Sequence, residues 1–162
     1  MSRVLPPLNL PSGSGLSQAE QLKRDQRLLS AIKRRLPALK ALLKEANAFL
    51  AYEDAVYRFY HQSFKVYRVQ DITQRIVEAL QDLAPGVRMN RTFLEIFAEG
   101  TGKTWETAHN RRWNYETRPM LEAFFHARYF LEMACKYGKE LKRAENVLPS
   151  GWAALLYLYD WR

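Results

Sequence analysis

From about residue 17 to the end of the chain, apolar residues recur three or four positions apart, and this helical spacing constrains the fold most strongly. No segment alternates apolar and polar residues for long enough to indicate a β-strand. The chain has 162 residues, a length that suits one domain, and 48% of them are apolar, which is enough to form a core. We therefore predict an all-α fold, a single compact bundle of about seven or eight helices with short loops.

Residues 1–16 differ from the rest of the chain because prolines and glycines stand among serines there. Such a composition blocks regular structure, so we expect a flexible Pro/Gly/Ser tail over this range. Residues 17–162 are predicted to form a single helical domain, with basic amphipathic helices at 17–50 and a core bundle at 53–162.

Capping residues, prolines and glycines predict where the helices begin and end. Ser17 and Glu20 stand three apart, the spacing of a capping box that starts the first helix. Pro37 indicates either a break or the first turn of a new helix. Further starts are predicted at Asp71, Asn90, Thr104, Thr117 and Ser150, and ends at Pro85-Gly86, Gly100 and Gly138.

The segment 118–137 is apolar on most of its circumference, which is typical of a helix at the centre of a bundle. Arg128 lies among its apolar positions, so we expect the guanidinium to be partly buried and to need an acceptor. Glu132, four residues further on, is the local candidate, and a carboxylate from another helix is the alternative.

Residues 53–70 carry an aromatic stripe at helical spacing, made of Tyr57, Tyr60, Phe64 and Tyr67. Basic residues interleave with this stripe, and cations beside stacking aromatics can hold single-stranded nucleic acid. The simpler interpretation, which we prefer, is that the tyrosines pack along an edge of the core with their hydroxyls outward.

The formal net charge of +8 is concentrated near the start of the chain, since residues 1–48 hold nine Lys or Arg and three Asp or Glu. Five of these cations share one side of the first helix: Lys23, Arg24, Arg27, Arg34 and Arg35. One basic helical face favours an acidic partner that docks on that face, rather than a cationic surface all round.

Several classes of function are disfavoured by what the sequence lacks. A single cysteine, Cys135, excludes a disulfide framework and a cysteine-based zinc site, and we read this thiol as a small core residue. No apolar run is long enough for a signal peptide or a membrane span, so we expect a cytoplasmic protein. Residues 100–104, Gly-Thr-Gly-Lys-Thr, lack the upstream glycine and the preceding strand of a phosphate-binding loop.

Weak candidates for catalysis are scattered along the chain: Glu53, Asp54, His61, Glu122, His126 and Arg128, with His109 as the third histidine. Glu122 and His126 stand four apart on one helical face, but di-iron bundles use Glu and His three apart, twice. We therefore expect no metal and no cofactor.

Residues 50–57, Leu-Ala-Tyr-Glu-Asp-Ala-Val-Tyr, resemble the signature helix of ribonuclease III domains, and residues 150–159 resemble their later helix. The resemblance implies a magnesium-dependent nuclease in which Asp54 matches the first aspartate. The chain departs from the pattern because Glu53 replaces a glycine and alanine, near Ala153, replaces the later glutamate.

From about residue 40 to the C-terminal end the chain also resembles an uncharacterised bacterial family of small all-helical proteins. The segments that carry this resemblance are 57–67, 122–130 and 148–152. The family has no known activity, so the resemblance implies only a compact helical domain.

Taken together, these patterns favour a non-enzymatic binding or interaction module with a basic N-terminal helical face. The partner is predicted to be nucleic acid or an acidic protein, and self-association through the aromatic helices stays open. The alternative is a divergent metal-dependent nuclease of ribonuclease III-like type centred on Asp54.

Overall fold

The protein is described here from a computed structural model that places residues 16–60, 64–101, 110–111, 118–144 and 149–161, with the side chains of 16–51, 68–98, 120–144 and 149–161. The helices in these ranges are α1 (Gln18–Arg34), α2 (Leu36–Tyr60), α3 (Val66–Gln81), α4 (Arg91–Thr101), α5 (Arg118–Glu140) and α6 (Ser150–Tyr157). The strands are β1 (Phe64–Lys65), β2 (Arg88–Met89), β3 (Asn110–Arg111) and β4 (Tyr159–Asp160). The all-α prediction is confirmed, while the predicted tail at 1–16 lies almost wholly outside the described residues.

The predicted count of seven or eight helices is not supported, because the described ranges hold six. Part of the difference lies at 53–70, where one helix was predicted and a new one was expected to start at Asp71. Instead α2 runs on to Tyr60, and α3 begins at Val66 and passes through Asp71 without a break. The helix predicted to start at Thr104 falls outside the described residues.

Two antiparallel ladders join the helices, and sequence analysis found neither. β1 pairs with β3, and β2 pairs with β4 so that Met89 lies opposite Tyr159. Each strand is two residues long, which is too short to give a detectable alternation of apolar and polar residues in the sequence.

The start of α1 is the predicted capping box. The Ser17 hydroxyl accepts a hydrogen bond from the Glu20 N–H at 3.2 Å, and the Glu20 carboxylate accepts one from the Ser17 N–H at 2.8 Å. These hydrogen bonds to Ser17 hold the pKa of Glu20 below its usual value. At the other end, Pro37 lies in the first turn of α2, which confirms the second of the two interpretations of that proline.

Helix α5 is the centre of the bundle, as its apolar circumference predicted, and it packs against each of the other five helices. Its inward residues are fully buried, including Met120, Phe124, Ala127 and Leu131. The T-shaped contact between Phe49 of α2 and Phe124, with ring centroids 6.0 Å apart, ties α2 to this centre.

Gly138 does not end α5, contrary to the prediction, but lies inside it at the crossing with α1. A Cβ at this position would stand 2.6 Å from Ile32 Cγ2 and 3.1 Å from Leu36 Cδ1, so only glycine allows this approach. The Gly138 carbonyl also accepts a hydrogen bond from Lys33 Nζ at 3.0 Å. The glycine therefore fixes α1, the most basic helix, against the central helix.

The C-terminal segment folds back onto α3 through α6 and β4. Ser150 is the first residue of α6 and Pro149 is its N-cap, without a side-chain capping bond, so the predicted Ser150 cap is wrong. The Tyr159 hydroxyl donates to the Leu80 carbonyl at 2.6 Å, and burial raises the pKa of Tyr159. This anchor brings the end of the chain beside α1.

Candidate functional site

Three cations of α1 form an exposed line along the helix, which we name the α1 basic row: Lys23, Arg27 and Arg34. They lie four and seven residues apart, within about 40° of one another at 100° per residue, so the row is about 16 Å long. Arg35 is the C-cap residue of α1 and is half-buried. All five cations were predicted to share one side of the first helix, whereas the structure brings only these three into one solvent-facing row.

Arg24 lies apart from the row, because its side chain is 9% exposed and turns toward the end of the chain. Its Nη2 stands 3.0 Å from an Asp25 carboxylate that is itself 10% exposed, and its Cζ lies 5.8 Å from the centre of the Trp161 ring. The Arg24 Nη1 is buried and has no hydrogen-bond partner among the described residues. Such an unsatisfied donor costs about 1–3 kcal/mol, so an added acceptor would stabilise this site.

A groove of about 300 Å³ opens between α1 and the end of the chain, and we name it the Trp161 groove. Its lining residues are Leu16, Glu20, Lys23, Arg24, Arg27, Val87 and Trp161. Three cations and one carboxylate give the groove a net positive charge, and the Glu20 carboxylate is already occupied by the capping box. The groove thus combines cations with the aromatic ring of Trp161 and two aliphatic residues, Leu16 and Val87.

The far wall of the groove is held in place by several hydrogen bonds. Trp161 Nε1 donates to the Leu156 carbonyl at 2.8 Å, and the indole packs against Tyr159 with ring centres 5.3 Å apart. The Val87 carbonyl accepts from Gln81 Nε2 at 2.8 Å, and Gly86 takes a φ of 85°, in the left-handed region that favours glycine, just before Val87. Because both Val87 and Trp161 are fixed, the groove exists without a ligand.

Two of the predicted catalytic candidates, Glu122 and His126, lie on α5 and do not contribute to the Trp161 groove. Glu122 and His126 are exposed on the outer side of α5, where the His126 ring lies 6.1 Å from the ring of Phe93. Neither residue lines the Trp161 groove.

Arg128 is partly buried, as predicted, with 24% of its side chain exposed. Its Nη1 donates to Asn47 Oδ1 of α2 at 3.1 Å and lies 3.7 Å from Glu132 Oε2. The interhelical acceptor is therefore an amide, whereas the sequence pointed to a carboxylate. The contact joins α2 to α5, and this supports a structural role for Arg128.

The side chains of Glu53, Asp54, His61 and His109 lie outside the described residues, as do residues 102–109 after α4. The nuclease hypothesis centred on Asp54 therefore stays a prediction. Among the side chains that the structure does describe, no group of three or more His, Cys, Asp or Glu is arranged to hold a metal ion.

Cys135 is buried in the core, and burial raises the pKa of its thiol to about 11. A thiol that stays protonated is a poor nucleophile. Of the six described helices, none is both long enough and apolar enough to cross a bilayer.

Comparison with known proteins gives no match to a family model, a curated protein or a solved structure. The resemblances to ribonuclease III domains and to the small bacterial helical family therefore stay predictions.

Four residues of this region were not predicted from the sequence: Leu16, Asp25, Val87 and Trp161. Trp161 could have been noticed from its position, because this large aromatic residue follows the last apolar stripe and is not part of it. Nothing in the local sequence indicated that Val87, more than 70 residues away, would join it at the same groove.

Proposed function

We propose that this protein is a non-enzymatic binding module that holds nucleic acid through the phosphates on the α1 basic row. The observation that carries the proposal is the row itself: Lys23, Arg27 and Arg34 are all exposed, on one face of a helix fixed to the bundle. Cations arranged in this way neutralise phosphates and release counterions, which supplies most of the affinity in sequence-independent binding.

Nucleic acid is favoured over an acidic protein by the kinds of residue that surround the row. Two of its three cations are arginines, whose planar guanidinium groups bind phosphate in a bidentate manner. A groove with a tryptophan lies beside the first two cations, and aromatic rings next to cations are typical of nucleic-acid surfaces.

The test is a charge reversal of the row, Lys23→Glu, Arg27→Glu and Arg34→Glu together, with binding to a fluorescent 20-nucleotide single strand measured by anisotropy. Arg24 stays unchanged, because a carboxylate beside the buried Asp25 would destabilise the fold. A matched control reverses three exposed cations elsewhere, Lys40, Lys44 and Arg91. Both variants lower the formal net charge by the same amount.

We expect the row variant to bind more than about tenfold more weakly than the wild type, because three favourable phosphate contacts become repulsive. The control variant should lose much less affinity. Equal losses in the two variants, or no binding by the wild type at low salt, would overturn the proposal. So would tight binding of a polyglutamate peptide without binding of nucleic acid, since that result identifies an acidic protein as the partner.

The nuclease alternative makes a separate prediction. If the chain cleaves RNA with magnesium and Asp54→Asn abolishes the cleavage, the protein is an enzyme and the non-enzymatic part of our proposal fails. We expect RNA to remain intact when it is incubated with magnesium and either the wild type or Asp54→Asn.

A further inference from the structure

The Trp161 groove has features that simple attraction to phosphates does not require. It places Trp161 and Val87 across from Lys23, Arg24 and Arg27 of α1, in a space of about 300 Å³. That volume is at the lower end of the range for small-ligand pockets, so it suits one nucleotide rather than a helical duplex.

We propose that the Trp161 groove seats one unpaired nucleotide of a single strand, with the base against Trp161 and the phosphate beside Arg24. This inference rests on the proposed function, and it adds a preference for single strands over duplexes. In a duplex the bases are stacked and paired inside, so they cannot enter a groove in the protein surface.

The phosphate end of this site is indicated by Arg24. Its guanidinium is nine-tenths buried and its Nη2 is paired with Asp25, while its Nη1 has no acceptor among the residues that the structure describes. A buried charged donor that lacks an acceptor is costly, and an anion in the groove supplies one. Lys23 and Arg27 border the same groove and continue into the α1 basic row, so the adjoining phosphates have cations to contact.

The base end is indicated by Trp161. Its Nε1 is already bonded to the Leu156 carbonyl, so the indole contributes a ring surface rather than a hydrogen-bond donor. A ring surface recognises any base by stacking, which predicts little sequence preference. Stacking on an aromatic side chain contributes about 1–3 kcal/mol per base, which corresponds to about 5- to 150-fold in affinity.

The experiment compares two oligomers of equal length and charge, ten deoxythymidine nucleotides and ten abasic nucleotides. Each is titrated against the wild type, Trp161→Leu, Trp161→Phe and the control Tyr129→Leu, which removes an exposed aromatic ring from α5. Thermal unfolding of every variant shows whether it is folded, and tryptophan fluorescence of the wild type and Trp161→Phe is recorded in each titration.

We expect the wild type to prefer the thymidine oligomer by about 5- to 150-fold. Trp161→Leu should bind the two oligomers about equally, while Trp161→Phe and Tyr129→Leu keep most of the preference. Base-dependent quenching of tryptophan fluorescence should be seen in the wild type and lost in Trp161→Phe, a readout that does not depend on the folding of the leucine variant.

Three results would overturn the nucleotide site: a wild type without preference, a preference that Trp161→Leu leaves intact, or quenching that persists in Trp161→Phe. In each case, weaker binding of the abasic oligomer after reversal of the α1 basic row would still support the proposed function. If the wild type binds neither oligomer, the proposed function itself fails.

Discussion

Replacing Gly138 by alanine perturbs the crossing that fixes α1 against the central helix. The new Cβ would lie 2.6 Å from Ile32 Cγ2, much closer than carbon atoms approach in folded proteins. Ile32 is completely buried, and its side chain is branched at Cβ, so the methyl group cannot move away without a change of rotamer or of helix position.

Two opposing effects set the size of the change in stability. Overpacking of a filled core costs about 1–3 kcal/mol. Alanine in place of glycine inside a helix returns about 1 kcal/mol through better helix propensity. We therefore expect Gly138→Ala to lower the free energy of unfolding by about 1 kcal/mol, which lowers Tm by about 2–4 °C in a chain of this size.

Urea unfolding followed by circular dichroism measures this change, and a second substitution shows its cause. Ile32→Leu moves the branch point away from Cβ and so removes the methyl group that the new Cβ would meet. In that background Gly138→Ala should cost less, with a coupling energy of about 0.5 kcal/mol or more. Stabilisation by Gly138→Ala in the wild-type background would refute the close approach, because it is the result expected for a helix that nothing contacts at this point.

Three further predictions concern the core and the surface. The thiol of Cys135, with its pKa raised to about 11, should react with a thiol reagent at pH 8 only after unfolding, and rapid labelling of the native protein would contradict its burial. Arg75 binds the Glu45 carboxylate with both terminal nitrogens, one of them at 3.0 Å, and lowers the pKa of Glu45. Glu45→Gln should therefore destabilise the protein by about 0.2–1 kcal/mol at pH 7. Because the pKa of Glu45 is lowered in the folded protein, the difference should disappear as the pH falls through that lowered pKa, and urea unfolding at pH 7 and in acid tests this. Tyr159→Phe removes the buried hydrogen bond to the Leu80 carbonyl and should cost about 1 kcal/mol in the same assay, whereas an unchanged stability would mean that the hydroxyl is not bonded there.

Local signals predicted the parts of the fold that depend on neighbouring residues. The Ser17 capping box was found because its two hydrogen bonds join residues three apart, and the central place of α5 followed from its apolar circumference. The aromatic stripe was misread as one helix because its spacing continues from the end of α2 at Tyr60 to the start of α3 at Val66. Helical spacing alone does not show where one helix ends and the next begins on the same face.

Features that depend on distant residues could not be predicted in the same way. A helix-ending role for Gly138 was the reasonable local interpretation, but the close approach of Ile32 comes from a helix about 100 residues earlier. Likewise, the five cations of the first helix looked equivalent until the fold buried Arg24 beside Asp25 and Trp161. The candidate site was therefore half predictable, since its cations came from the sequence and its aromatic wall came from the fold.

The salt dependence of binding tests the central claim most directly, namely that the α1 basic row contacts the phosphates of a nucleic acid. Three phosphate contacts on a single strand give a slope of log affinity against log salt concentration of about −2, or about a 20-fold loss between 50 and 200 mM salt. We predict a slope of about −2 or steeper for the wild type, because a phosphate beside Arg24 adds to the three contacts of the row. For the variant with Lys23, Arg27 and Arg34 reversed we predict a slope that is less steep by about 2. A wild-type slope near zero, or an unchanged slope in the variant, would contradict the account.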